Sequence, residues 1–245
     1  MTCAATPASF AGWRKKLRLS DGPTAQVLTG HRGSGKSTEL TRLRRELETS
    51  SDAQQPFFVV QVRANDELDR NDIDFPEVLI AIARQIATQL RERAGIKLKP
   101  DYFKDRLKRL KDLALTELSF DEVSLEAGMA SGAATIKNSP EARDSVRKSL
   151  EPDTNNWLVA VNDVISEAVL KLERQGRAGL VVIVYDLDKM IKRTHDAGCS
   201  TTEYLFAHRS AQLTAFECHL CRSNSPTRTT NPPFAVFTTD CRWCR

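Results

Sequence analysis

The glycine-rich segment Gly30-His31-Arg32-Gly33-Ser34-Gly35-Lys36-Ser37 constrains this chain more than any other part of its sequence. It fits the spacing G-x-x-x-x-G-K-[ST], the P-loop pattern. Glycines permit turn conformations closed to residues with a Cβ, so successive backbone N–H groups can point at phosphate oxygens. Lys36 would then bring a positive charge to the β- and γ-phosphates, and the Ser37 hydroxyl would ligate Mg²⁺.

The segments on either side of this loop have the character that the pattern requires. Residues 25–29 form a short apolar run typical of a buried strand. After the loop, Leu40, Leu43 and Leu47 recur at helical spacing and predict an amphipathic helix. The N-terminus of such a helix is a ready anion site. A chance Gly/Ser-rich turn needs neither flank, so we expect residues 30 to 38, ending in Thr38, to bind a nucleoside triphosphate.

A second apolar run ends in acids. Residues 180–185 are rich in β-branched side chains, which suits a central parallel strand buried on both faces, and Asp186 and Asp188 follow. Ligands bind at the carboxyl ends of strands in open α/β sheets. We therefore expect Ser37 and Asp186 to hold Mg²⁺, and Lys36, Asp186 and Asp188 to be the catalytic candidates. The alternative is a strand that ends in two solvated aspartates.

Residues 27–40, with the later Asp186-Leu187-Asp188-Lys189, resemble the AAA-like and STAND-type P-loop ATPases of bacteria. The resemblance spans roughly residues 20 to 220. It implies a switch in which ATP occupancy and slow hydrolysis to ADP and phosphate control domain arrangement, self-assembly or a protein partner. In the register of many relatives the magnesium-holding acid falls at Tyr185, whose phenol, with a usual pKa of about 10, cannot replace a carboxylate at neutral pH. Either Asp186 serves one residue later or hydrolysis is impaired.

Composition and charge favour a soluble, cytoplasmic protein. No apolar stretch approaches the roughly 20 residues needed to cross a bilayer, and the first residues lack the pattern of a signal peptide. The formal net charge is +4. Basic runs such as residues 14–18 and 42–45 can contact nucleic acid, but the glutamates at 46 and 48 favour solvated helix faces instead.

The order of apolar patterns predicts an α/β fold: a P-loop NTPase parallel sheet flanked by helices, with a mainly helical insertion. We expect an N-terminal segment over residues 1–20, the nucleotide domain over 21–220, and the insertion at about 97–155. The acidic segment 65–74 lacks the glycine and final glutamate of an EF-hand loop, so we expect a solvated loop that caps the next helix.

The C-terminal residues pose two alternatives. Cys218, Cys221, Cys241 and Cys244 have the spacing C-x₂-C-x₁₉-C-x₂-C, which can enclose tetrahedral zinc. No glycine follows either pair to form a knuckle, and residues 221–245 carry little apolar periodicity. We therefore expect a disordered or non-native tail beyond residue 220 rather than a zinc site. On that expectation the strand bearing a γ-phosphate sensor cannot be located.

Three functions stay open on these observations. The first is an ATP-hydrolysing switch. The second is a non-catalytic nucleotide-binding module that signals occupancy to a partner. A small-molecule kinase comes third, since no substrate-binding motif is evident. The lone histidines His31, His195, His208 and His219 form no nucleophile or metal constellation, and we expect loop, surface or packing roles for them.

Overall fold

The fold is an α/β arrangement of one five-stranded sheet between helices. The computed structural model describes residues 13, 15–20, 22–31, 33–49, 55–98, 137–150, 152, 154–191, 200–201, 204–224 and 236–240. The strands are β1 (Thr24–Thr29), β2 (Phe58–Arg63), β3 (Leu180–Tyr185), β4 (His219–Asn224) and β5 (Val236–Asp240). The helices are α1 (Lys36–Glu48), α2 (Ala64–Glu67), α3 (Phe75–Ala94), α4 (Pro140–Leu150), α5 (Thr154–Arg174) and α6 (Ser210–Thr214).

The sheet has the strand order β2-β3-β4-β1-β5. The first four strands run parallel, and β5 pairs antiparallel with β1 at the edge. Because parallel strands share one direction, the loops that follow β1, β2, β3 and β4 all leave from the same edge of the sheet. The expected parallel sheet flanked by helices is therefore present, with one antiparallel strand added.

Alternate side chains of the strands feed two apolar clusters, one on each face of the sheet. In β3, Val181 and Ile183 pack with Leu40 and Leu43 of α1. On the other face, Leu180, Val182 and Val184 of β3 belong to the larger cluster with residues of α3 and α5. All six residues of β3 are buried, which explains its unbroken apolar sequence. Each fully buried branched side chain contributes about 1.5–3 kcal/mol, so the two clusters fix the strand ends that carry the polar residues.

The acidic segment after β2 caps α3, as the sequence predicts. The Asp74 side chain accepts a hydrogen bond from the Phe75 N–H at 2.6 Å. The Glu77 carboxylate accepts one from the Asp74 N–H at 3.1 Å, which completes a capping box. Part of this segment differs from the expected loop, because residues Ala64–Glu67 form the short helix α2.

Helix α4 is the described helical part of the predicted insertion, whose residues 99–136 lie outside the described structure. Its two arginines dock it on the segment between β2 and α3. Arg143 pairs with Asp69 and Asp72, in each case at 2.9 Å. Arg147 pairs with Asp72 at 2.8 Å and with Glu77 at 2.7 Å. The insertion is thus joined by ion pairs to the segment that follows β2 and to the first turn of α3.

Strand β4 crosses the boundary that the sequence places at residue 220. It pairs with β3 on one side and β1 on the other, and Cys221, Arg222 and Ser223 are buried within it. The sheet therefore continues at least to residue 224 and includes β5. The sequence near Phe216 to Leu220 predicts a strand, but its continuation to residue 224 is missed because Arg222 and Ser223 replace the aliphatic residues typical of a central strand. Residues 225–235 and 241–245 lie outside the described structure.

The segment before β4 also differs from expectation. An ordinary helix over residues 201–217 is predicted, whereas the structure has a π-helical turn at Tyr204–His208 followed by the short α6. Among the described residues, no helix combines the length and apolarity needed to cross a membrane.

Candidate functional site

The glycine-rich loop connects the carboxyl end of β1 to the first turn of α1. Gly33 and Gly35 have φ values of 83° and 86°, in the left-handed region. No atom lies within 4 Å of a Cβ built at either position, so the need for glycine there comes from the backbone conformation and not from crowding. The Ser34 N–H donates to the His31 carbonyl at 3.1 Å and closes the turn.

Lys36 lies inside this loop and is only 4% exposed. Its ammonium donates to the Gly30 carbonyl at 2.7 Å and to the His31 carbonyl at 2.8 Å. A third contact joins its Nζ to Oδ2 of Asp188 at 3.0 Å. An ammonium has three N–H donors, and these three acceptors match them in number. The lysine is therefore held at the mouth of the loop by its own backbone and by an acid from the end of β3.

Asp188 is fixed from a second side by β4. Its Oδ1 accepts a hydrogen bond from the Ser223 hydroxyl at 3.0 Å. Ser223 is fully buried, so its hydroxyl has a fixed position relative to the sheet. Three adjacent strands thus contribute to one polar cluster, through the loop after β1, the turn after β3 and the end of β4.

Asp186 reaches the start of α1 from the end of β3. The Ser37 hydroxyl donates to Asp186 Oδ1 at 3.4 Å, across a sequence separation of 149 residues. Asp186 has a φ of 65°, the one positive value for a non-glycine residue in the described part of the chain. Aspartate tolerates this region better than most residues, and strained backbone of this kind clusters at functional sites.

The donor set of Ser37 and Asp186 fits Mg²⁺. Both residues offer oxygen, the ligand atom that Mg²⁺ prefers, at about 2.0–2.1 Å from the ion. Their separation of 3.4 Å is shorter than twice that distance, so both oxygens can reach one ion without a large backbone shift. The described residues hold no group of three or more His, Cys, Asp or Glu side chains that could hold a metal. Substrate phosphates and water would therefore have to complete the shell, as is usual for Mg²⁺.

Tyr185 points away from this cluster. It is 5% exposed and packs in the apolar cluster between the sheet and α1. Burial raises the pKa of its phenol above the usual 10, against smaller opposing effects of Thr41 and Arg44. The side chain is therefore a neutral packing group at neutral pH. Asp186, one residue later, is the acid that meets Ser37.

The other predicted site residues are placed less centrally. His31 and Thr38 are exposed, and Arg32 and His195 lie outside the described residues. His208 stacks on Tyr204. His219 contacts the Thr24 hydroxyl at 3.0 Å, and burial lowers its pKa to about 4, which makes it a neutral structural group.

The two described cysteines of the zinc pattern face opposite sides of the sheet. Cys218 belongs to the larger apolar cluster and Cys221 to the cluster beside α1. Burial raises the pKa of the Cys221 thiol to about 12, so this thiol stays protonated. Cys241 and Cys244 lie outside the described residues.

The cluster includes two residues, Ser223 and Lys189, that the sequence did not single out. Ser223 bonds Asp188, and the Lys189 ammonium lies 2.6 Å from Asp186 Oδ1. Lys189 stands next to the predicted acids, and its i, i+3 spacing from Asp186 was the available signal. Ser223 had none, because it lies beyond residue 220, where the core was predicted to end.

Comparison with known proteins does not assign this chain to a family. No protein-family model matches the sequence, and neither does any curated protein. A function for this chain has therefore to be inferred from the geometry of the cluster.

Proposed function

We propose that this protein binds MgATP at the glycine-rich loop and acts as a nucleotide-dependent switch of the AAA/STAND type. In this assignment the loop backbone and Lys36 receive the phosphates, while Ser37 and Asp186 hold Mg²⁺. Mg²⁺ would neutralise phosphate charge when bound. Asp188 would accept a hydrogen bond from the attacking water and so orient it.

One observation carries the proposal. A lysine and a serine that follow a glycine-rich loop meet two aspartates that follow the parallel strand β3, in the pairs Lys36–Asp188 and Ser37–Asp186. A glycine-rich loop alone, or a strand followed by aspartates alone, is common. Their convergence at the carboxyl edge of a parallel sheet, beside a helix N-terminus, supplies both the cation for phosphate and the acid for a metal.

The charges of the cluster are also balanced in a way that suits a triphosphate. The Lys36 ammonium has an internal counter-ion in Asp188, at side-chain exposures of 3% and 5%. A phosphate oxygen that replaces Asp188 as the partner of Lys36 would free the carboxylate for a water molecule. Binding and activation of water would then be linked through one side chain.

The test is a titration of purified protein with ATP in the presence of Mg²⁺. Lys36→Ala and Lys36→Met should weaken binding about 10- to 100-fold, because a charge-assisted hydrogen bond is worth roughly 1.5–3 kcal/mol. Lys171→Ala is the matched control, since Lys171 is a surface lysine paired with Glu167 on α5. Unchanged affinity in both Lys36 variants, with folding verified by circular dichroism, would refute the assignment of the site.

The second candidate is a nucleotide-binding module without turnover, and Tyr185 favours it. In the register of the resembling ATPases the magnesium acid would stand at Tyr185, which here is a buried neutral phenol. Steady-state phosphate release separates the two candidates. Release that depends on Asp188 supports the switch that hydrolyses ATP, whereas MgATP binding with no release supports the module.

A further inference from the structure

The Lys189 ammonium contacts the Asp186 oxygen that a bound Mg²⁺ would need. Lys189 closes the 3-10 turn Leu187–Lys189 directly after Asp186, and its backbone N–H donates to the Asp186 carbonyl at 2.9 Å. Its ammonium lies 2.6 Å from Asp186 Oδ1. The same Oδ1 accepts from the Ser37 hydroxyl at 3.4 Å. A resident cation thus contacts the same carboxylate oxygen that accepts from Ser37.

The turn that carries Lys189 is anchored, but its ammonium is not enclosed. The Lys189 carbonyl accepts from Arg70 at 3.4 Å, and the Ile191 N–H donates to the Arg70 carbonyl at 2.8 Å. The Lys189 side chain is 37% exposed, against 13% for Asp186. The backbone of the turn therefore stays in place while the ammonium can move into water.

We propose that Lys189 is a built-in counter-cation that makes nucleotide binding at this site less dependent on Mg²⁺. This inference rests on the proposed function. Without metal, the ammonium neutralises Asp186 and removes the repulsion that this carboxylate would exert on a triphosphate. Mg²⁺ held by Asp186 would compete with the Lys189 ammonium for Oδ1, the oxygen that Lys189 now contacts. Lys189 therefore favours the metal-free complex and disfavours the metal-bound complex.

The experiment compares ATP dissociation constants in excess EDTA and in excess Mg²⁺ by calorimetry. The measured quantity is the dissociation constant in EDTA divided by the dissociation constant in Mg²⁺. In Lys189→Met this ratio should rise about fivefold over wild type, the effect expected for one partly exposed ion pair. Lys189→Arg keeps the charge and should stay within about twofold of wild type on the same scale. Lys171→Met is the matched control for loss of a surface lysine and should leave the ratio unchanged.

A double variant tests whether Lys189 acts through Asp186. In the Asp186→Asn background, Lys189→Met should no longer change the ratio, because the carboxylate that it neutralises is gone. An equal ratio in wild type and Lys189→Met, with ATP bound by both, would overturn the inference and leave the proposed function intact. No ATP binding by the wild type at all would overturn the proposed function and this inference with it.

Discussion

At the scale of single residues, Tyr185 and Asp186 divide two tasks between adjacent positions of one strand end. Successive side chains of a strand point to opposite faces, so only one of two neighbours can enter the core beside α1. Tyr185 takes that place among apolar side chains. Asp186 leaves the strand with a positive φ and reaches Ser37 instead.

This arrangement gives a prediction for Tyr185→Asp. The substitution would remove a buried ring and place a carboxylate in the apolar cluster, so it should lower the free energy of unfolding by about 3 kcal/mol or more. Phosphate release should not increase. Urea unfolding and a phosphate-release assay measure the two effects, with Tyr185→Phe as the control that keeps the ring. A sharp rise in phosphate release would show instead that position 185 can supply the metal acid.

At the scale of elements, the docking of α4 depends on a buried acid. Glu77 is 3% exposed at the first turn of α3, where Arg147 contacts it. Burial raises the pKa of Glu77 to about 7, against an opposing effect of Arg147. The ordinary value for this group is 4.5. Because the folded state holds the proton more tightly, this contribution to stability is complete below about pH 4.5 and is lost as the pH rises through 7.

Glu77→Gln should therefore remove this fall in stability with rising pH. His219, whose lowered pKa of about 4 acts in the opposite direction, contributes equally to wild type and variant. Between pH 5 and pH 8 the wild type should lose up to about 3 kcal/mol relative to the variant, at 1.36 kcal/mol for each unit of pKa shift. Asp72 does not mask the effect, because its arginine partners hold its pKa below 3.8, outside this range. Urea unfolding at several pH values is the measurement. Asp144→Asn, at an exposed position of α4, is the control, and an identical pH slope in wild type and Glu77→Gln would contradict the prediction.

The elements that could be predicted from the sequence are those whose burial pattern is regular. The helical stripe of Leu40, Leu43 and Leu47 became the buried face of α1, and the apolar run 180–185 became β3. The π-helical turn at Tyr204–His208 has no periodicity of its own. In β4 the buried residues include the polar Arg222 and Ser223, so the burial of this strand is not evident from its sequence. A pattern built on apolar residues cannot follow a central strand into positions whose buried residues are polar.

The candidate site also has a part that could be predicted from the sequence and a part that could not. Spacing alone brought Lys36, Ser37, Asp186 and Asp188 together as candidates, and the structure places them in contact. Spacing could not predict the contacts of Asp188 with Ser223 or of Asp186 with Lys189. Those contacts depend on which strand lies beside β3 and on the turn that follows Asp186, and both are tertiary features.

At the scale of the whole molecule, β4 makes the C-terminal part necessary to the sheet. A chain that ends after residue 220 would lack Cys221, Arg222 and Ser223, which are all buried between β1 and β3. We expect that chain to lose its cooperative thermal transition in circular dichroism, because β1 and its loop would have no strand beside them. A truncated chain that melts at the wild-type temperature would restore residue 220 as the end of the core.

The strand order has a consequence for the time course of synthesis. Strand β1 carries the glycine-rich loop and leaves the ribosome early, yet both of its neighbours in the sheet, β4 and β5, begin only at residues 219 and 236. Strands β2 and β3 can pair before then, whereas β1 must wait for β4. Since contacts distant in sequence form late, the nascent protein carries an unpaired β1 until residues 219–224 have emerged. Competence to bind the proposed nucleotide would then arise in one late step, when β4 and β5 arrive.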